Sequence, residues 1–388
     1  MKNIVFTVLC IGLALSLVFS IGEIVLRMAG IGEVQERETI WVKHTPFNPF
    51  LIFGPYRNNK FKLKNGTFAN YNSQGFRLDN DVPHQKPEDE FRIIALGGST
   101  TANLGNERGL HYPDLATEQL NQRGFTSKKI LALNTGVPAY TTAHSLVRLQ
   151  FDLLPFKPNM ITVMHNINDL HVNYFPYEDQ EQNNYGNTYF HEKFAHRLSI
   201  KQIPLLRKSR VLVFFFNSLQ SLKQQFFGDS VQATEGKVVY TTMKFSKSAI
   251  PLKSKINFQN NLITIANIAK THHIALVFMT QPSIMTEEMI AGFFGHKEYN
   301  DIVWYPEKAQ MTQHFREYND VIRNVAQKEG VYLIDMAREF GKDRNLFDDM
   351  VHYSSDGVQR FADIYARHIE TIIKIEENAL GDKVNSSE

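Results

Sequence analysis

Three short stretches of this chain hold residue types that together suit acyl transfer. Gly97-Gly98-Ser99-Thr100-Thr101 presents a hydroxyl behind two glycines, which permit a tight turn and close backbone approach. A serine on such a turn becomes a nucleophile if a base reaches it. Asp349-Met350-Val351-His352 puts a carboxylate and an imidazole three residues apart. Within one turn the carboxylate can hold the imidazole and fix its tautomer, leaving the second ring nitrogen to take a proton from a serine. His165-Asn166-Ile167-Asn168-Asp169-Leu170 offers a side-chain amide that can face a developing oxyanion. Each stretch has a plainer alternative. Gly-Gly-Ser-Thr also makes an ordinary turn, Asp-x-x-His recurs by chance, and Asn-Asp is common turn chemistry.

These residues need elements that bring them to one place. Phe91 to Leu96 is an apolar, β-branched run that stops at the Ser99 turn. Similar short runs cover 129–134, 160–165, 274–279 and 331–335. Short apolar runs of this kind fit strands covered on both faces. Helical periods lie between them at 112–120, 258–269, 318–326 and 357–373. The alternation predicts βαβ units and a parallel sheet with helices on both sides. Ser99 then ends the first strand and Asn168 follows the third, at the edge where open α/β sheets bind ligands. Asn134-Thr135-Gly136-Val137-Pro138-Ala139-Tyr140 ends the second strand there, and Ser354 or Ser355 would cap the last helix. Gln281-Pro282 follows the fourth strand at the same edge, so Gln281 either contacts substrate or makes a simple turn.

Taken in chain order, these segments resemble the SGNH (GDSL-like) hydrolase superfamily over roughly residues 91–375. Asn72-Ser73-Gln74-Gly75-Phe76-Arg77, upstream, looks like membrane-tethered bacterial members with Gly-Gly-Ser-Thr. The resemblance implies Ser99 as nucleophile, His352 as general base and then acid, and Asp349 as the group that orients and balances His352. It implies an oxyanion hole made by the backbone N–H of Ser99, the Asn168 side chain and a third backbone N–H. In the family that third donor is a glycine; here the position is Ala139. A backbone donor is expected to survive this change only if φ at Ala139 is negative. Gly98 stands where Gly-Asp-Ser has aspartate, and Asn166 where Gly-x-Asn-Asp has glycine. Asn166 would narrow the pocket beside Asn168.

Other candidates carry less. His191 and His196 are five apart, whereas a metal-binding helix face needs i and i+4. His272-His273 reads as a surface turn. His165 and His171 flank Asn168, either lining a pocket or satisfied inside the fold. Phe214-Phe215-Phe216 reads as core rather than an acyl pocket, and Asn65-Gly66-Thr67 is given no weight as a glycosylation sequon.

The chain has 388 residues, 43% hydrophobic and 21% charged, with a net charge of +2. That composition suits a globular protein with an ample core and gives no reason to expect a nucleic-acid partner. One cysteine, Cys10, excludes an intrachain disulfide. Ile4 to Ile21 carries no charge and is about long enough to span a bilayer. Lys2 and the terminal amine would stay inside and export the rest. An uncleaved anchor is favoured over a signal peptide cut near Val18-Phe19-Ser20, and a buried soluble helix is a third alternative.

The expected architecture is an α/β protein, a three-layer α/β/α sandwich with a flavodoxin-like parallel five-stranded sheet. Residues 1–30 form a membrane anchor and 31–90 a spacer or packed extension. Residues 91–375 form the hydrolase-like domain, with an insertion at about 170–250 that is a lid or a packing layer. Residues 376–388 form a frayed polar tail. The expected function is a serine esterase acting through an acyl-enzyme, without metal or cofactor. Its expected substrates are O-acyl or acetyl esters of exported or cell-surface polysaccharide, or lipid esters. The domain would sit on the periplasmic or extracellular side of a single-pass helix. An O-acetyltransferase on the same Ser-His-Asp set is the near alternative. A noncatalytic carbohydrate-binding or assembly protein is the distant one.

Overall fold

The computed structural model describes residues 2–29, 31, 47–48, 51–62, 68–104, 110–171, 173, 209–215, 218, 244–246, 251–290 and 304–385. Most of the 170–250 insertion, His191 and His196, and the 65–67 sequon lie outside the described residues. The chain divides into two compact units. One holds residues 1–43 and 190–239, and the other residues 44–189 and 240–388.

In the first unit, α1 (Lys2–Met28) is a single apolar helix, and Cys10–Met28 is long and apolar enough to cross a membrane.

The second unit is built on five strands: β1 (Glu90–Gly97), β2 (Lys129–Asn134), β3 (Met160–Met164), β4 (Ala275–Met279) and β5 (Tyr332–Ile334). All pair in parallel, in the order β2-β1-β3-β4-β5. The predicted strands match within a residue or two because each is a short run without a polar face; Ile93, Ile94, Ala95, Met160 and Ile161 are fully buried. α2 (Ser99–Ala102) follows β1, and α3 (Tyr112–Arg123) carries the chain to β2. α4 (Thr142–Arg148) follows β2, α5 (Ile167–His171) follows β3, and α6 (Lys255–Thr271) precedes β4. α7 (Lys308–Glu329) leads to β5, and α8 (Ser355–Asn385) is the last described element.

The crossover from β1 moves one way along the sheet and those from β3 and β4 the other. Right-handed crossovers in opposite directions put their helices on opposite faces. Accordingly α3 packs with α8, and α6 with α4 and α7. Three layers result, with a switch point between β1 and β3, where a crevice forms beyond the strand ends.

Two expectations need correction. The frayed tail is instead helix through Asn385. The Tyr332 hydroxyl donates to Glu376 at 2.8 Å and the Thr126 hydroxyl to Glu377 at 2.8 Å, which fastens that turn to the body. Phe214 and Phe215 are not core: they are 45% and 63% exposed. The described part of the 31–90 region packs as a layer. Tyr56, Phe61 and Tyr71 form an edge-to-face ring cluster, and Phe76 sits on Phe156 with ring centres 5.0 Å apart.

Candidate active site

Each strand end at the switch point exposes one residue among buried neighbours. From Phe91 to Asn103 only Ser99 is not buried. In the turn after β2, residues 132–138 and Tyr140 are buried while Ala139 is not. From Met160 to His171 only Asn168 is accessible. A ligand approaching this edge therefore meets Ser99, Ala139 and Asn168.

His352 arrives from the loop before α8. There the Asp348 N–H donates to the His352 carbonyl at 2.9 Å, and Phe347 bridges Tyr353. Ser354 caps the helix, its hydroxyl accepting from the Gly357 N–H at 3.2 Å. Asp349 Oδ1 accepts the backbone N–H groups of Val351 and His352 at 2.9 and 2.8 Å. Its Oδ2 lies 2.6 Å from His352 Nδ1. Burial opposes ionisation of Asp349, but the bonds and charge from His352 and the two N–H donors hold its pKa at about 2. The ionised carboxylate can only accept, so Nδ1–H donates a hydrogen bond to it. Nε2 is then an acceptor, and it lies 2.7 Å from Ser99 Oγ. That arrangement lets the imidazole remove the serine proton while the carboxylate stabilises the resulting charge.

The backbone N–H groups of Ser99 and Ala139 have no protein acceptor among the described residues. The Asn168 side-chain amide donates to the Tyr140 carbonyl at 2.8 Å and lies directly over Gly98. A Cβ at Gly98 would come within 2.7 Å of Asn168 Nδ2. The missing side chain at 98 is thus space that the Asn168 amide fills.

Ala139 does not meet the negative-φ condition set for this donor: it sits at +63°, yet its N–H has no protein acceptor among the described residues, so it is still free to donate from a left-handed backbone. The left-handed backbone of a glycine is retained at a cost of about 1–2 kcal/mol for an L residue. The turn imposes it from both sides, through the Tyr140 N–H on the Val137 carbonyl at 3.1 Å and Asn168 on the Tyr140 carbonyl.

Asn166 and Gln281 lie beneath the site and do not line its surface, 1% and 2% exposed. Gln281 Oε1 accepts the Ile167 N–H at 3.0 Å, and its Nε2 donates to Thr100 Oγ1 at 3.3 Å. It therefore ties the start of α5 to α2. The Asn166 amide donates to the Phe315 carbonyl and to Asn319 Oδ1, each at 3.0 Å, anchoring the same turn to α7. Both are buried because β4 and α7 cover the side of the turn opposite Asn168.

Three supporting groups escape sequence reading. Arg77 donates through Nη1 to the Ala102 and Asn103 carbonyls, closing the end of α2. The Thr142 N–H donates to both Asp169 oxygens at 3.1 Å and its hydroxyl donates to Oδ1, which joins the β2 turn to the residue beside Asn168. Burial pushes the Asp169 carboxyl up to about 7, against the opposing pull of Thr142. The signal was present: Asp169 adjoins Asn168, and Arg77 closes the Asn72–Arg77 stretch.

A second Ser-His-Asp set lies in the interior. Ser145 Oγ is 2.7 Å from His165 Nε2, and His165 Nδ1 is 4.0 Å from Asp169 Oδ2. All three are buried, and burial lowers His165 to about 3, so its ring is neutral. With no access and no close carboxylate, this set is structural. Among the described residues no group of three or more His, Cys, Asp or Glu could hold a metal ion.

Residues 95–360 match the sequence profile described as the GDSL-like Lipase/Acylhydrolase family. No curated protein matches the chain. Similar solved structures include a lipase/acylhydrolase from Enterococcus faecalis, with 14% identity, covering 72% of this chain and 96% of that one, at a TM-score of 0.40. A putative acylhydrolase from Bacteroides fragilis has 12% identity, 74% and 90% coverage, and a TM-score of 0.40. A GDSL-like lipase from Bacteroides thetaiotaomicron has 10% identity, 75% and 93% coverage, and a TM-score of 0.40.

Proposed function

Because this chain belongs to the GDSL-like lipase/acylhydrolase family and is a serine ester hydrolase, we propose that Ser99, His352 and Asp349 are its catalytic triad. The observation that carries this is the unbroken chain of 2.6 and 2.7 Å contacts from Asp349 through His352 to Ser99. His352 Nε2 takes the Ser99 proton as Oγ attacks the ester carbonyl. The tetrahedral oxyanion is held by the N–H groups of Ser99 and Ala139 and by the Asn168 amide. Collapse expels the alcohol, which receives the proton from His352, and leaves an acyl-serine. His352 then deprotonates water, which attacks the acyl-serine, and the acid leaves as His352 returns that proton to Ser99 Oγ.

The substrates we assign are O-acyl or acetyl esters of exported or cell-surface glycans, or lipid esters. α1 is the membrane anchor in this reading, with the catalytic domain on the periplasmic or extracellular side. The apolar stretch Cys10–Met28 and the positive flank at Lys2 support it. A screen of acetylated oligosaccharides and short-chain lipid esters, comparing the full chain with Ser99→Ala, tests the assignment. Serine-dependent acid release identifies the substrate. Release that persists in Ser99→Ala rejects Ser99 as nucleophile. Product analysis with added oligosaccharide separates hydrolysis from transfer of the acyl group to a sugar.

A further inference from the structure

We propose that residues 209–215 and α1 form a two-part element seated in a lipid bilayer, with Leu212, Phe214 and Phe215 against the acyl chains. The proposal rests on the reading of α1 as a membrane span.

Glu23 lies within the apolar stretch Cys10–Met28. A carboxylate at the edge of hydrocarbon is costly unless donors replace water. Arg27 Nε supplies one from the same helix at 2.9 Å. The others come from far along the chain: the Ser209 hydroxyl at 2.9 Å, the Arg210 N–H at 2.9 Å and the Val211 N–H at 3.1 Å. Residues 210–215 are helical, so these N–H groups are ones that a helix start leaves without an internal acceptor. Ser209 caps the same turn, its oxygen accepting the Leu212 N–H at 3.2 Å. Each element thus satisfies polar groups that the other could not leave bare in lipid.

The contact is close as well as polar. A Cβ at Gly22 would lie 3.3 Å from Val211 Cγ2. Val213 is buried, while Leu212, Phe214 and Phe215 are exposed. They extend the apolar surface that α1 presents through Ile21, Ile24 and Val25, each more than half exposed. An apolar surface of this extent marks a binding face. Its continuity with the spanning helix selects lipid as the occupant. The sequence adds Arg207, Lys208 and Arg210 directly before Val211, a basic composition that suits anionic headgroups.

The test uses the full chain with Cys10→Ser, reconstituted in phosphatidylcholine/phosphatidylglycerol vesicles. A nitroxide is attached at Phe215→Cys, at Leu15→Cys or at Gln359→Cys, and collision with oxygen and with a water-soluble nickel chelate is measured. Position 215 is expected to match 15, oxygen-rich and nickel-poor, and to differ from 359. A nickel-accessible label at 215 with a lipid-facing label at 15 overturns this inference and leaves the anchor standing. A lipid-facing 215 with a nickel-accessible 15 rejects the anchor and, with it, the two-part element. A label at 215 shielded from both reagents and broadened by a second spin shows a second copy on this face and overturns the lipid assignment. Glu23→Ala is expected to raise nickel access at 215 severalfold with 15 unchanged. No change at 215 overturns the tie to α1.

Discussion

His352 Nε2 lies 2.7 Å from Ser99 Oγ, although 253 residues of chain separate them. The pairing arises because β1 ends at the switch point of the sheet and the loop before α8 returns to the same edge. Asp349 sets the direction of the contact by claiming Nδ1.

The proposed roles predict that Ser99→Ala and His352→Ala each lower kcat on a short-chain aryl ester by about 10⁶, and that the double variant falls no further than the worse single. Asp349→Asn is expected to lose less, about 10⁴, since an amide no longer enforces the reactive tautomer but leaves Ser99 and His352 in place. Steady-state kinetics check this, with circular dichroism confirming folding. Multiplying losses in the double variant would contradict a shared mechanism.

Gly98→Ala tests the Asn168 donor without touching it. The added Cβ meets the far end of the Asn168 side chain, which can swing away. The expected result is a loss in kcat of about 10²-fold, the scale of one oxyanion donor, with the unfolding midpoint nearly unchanged. Asn168→Ala should lose a similar amount, and the double variant little more. Full activity in Gly98→Ala would show that the Asn168 amide does not act from this position.

Ala139→Gly should relieve the left-handed backbone at φ +63°. Relief of strain, less the greater freedom glycine has when unfolded, gives a gain of about 0.5–1 kcal/mol. Activity should hold, because the backbone N–H remains. Ala139→Val is expected to destabilise by more than 1 kcal/mol, since a β-branched residue suits this backbone least. Denaturant unfolding measures both, and equal stabilities for all three would rule out strain at this turn.

Asp169 makes stability depend on pH with a defined sign. Burial raises its folded pKa from 3.8 to about 7. Between those values the folded state holds a proton that the unfolded state has released, so stability falls as pH rises through about 4 to 7. Below that window the contribution is fully present, and above it fully lost. Asp169→Asn should flatten this part of the profile, as measured by unfolding at several pH values. Asp349 works in the opposite direction: its pKa is held at about 2, so its contribution is lost as pH falls from about 4 to 2.

Much of this was legible in the sequence where one residue's type decided the outcome. The five strands could be read because they are uniformly apolar, and Ser99, Asn168, Asp349 and His352 because their order along the chain fixes the edge they share. What escaped depended on neighbours distant in sequence. Gln281 and Asn166 looked like lining residues, yet α7 covers them with Phe315 and Asn319. Residues 376–385 looked frayed by composition, and Tyr332 and Thr126 hold their first turn. Phe214 and Phe215 carry core chemistry but stand exposed, because Glu23 fixes the helix they belong to beside α1.

The most direct measurement of the central claim is mapping the covalent adduct of a fluorophosphonate on the full chain by intact mass and peptide sequencing. One equivalent on Ser99, lost in folded His352→Ala, is the predicted result. An adduct on another residue, or undiminished labelling of Ser99 without His352, would contradict it.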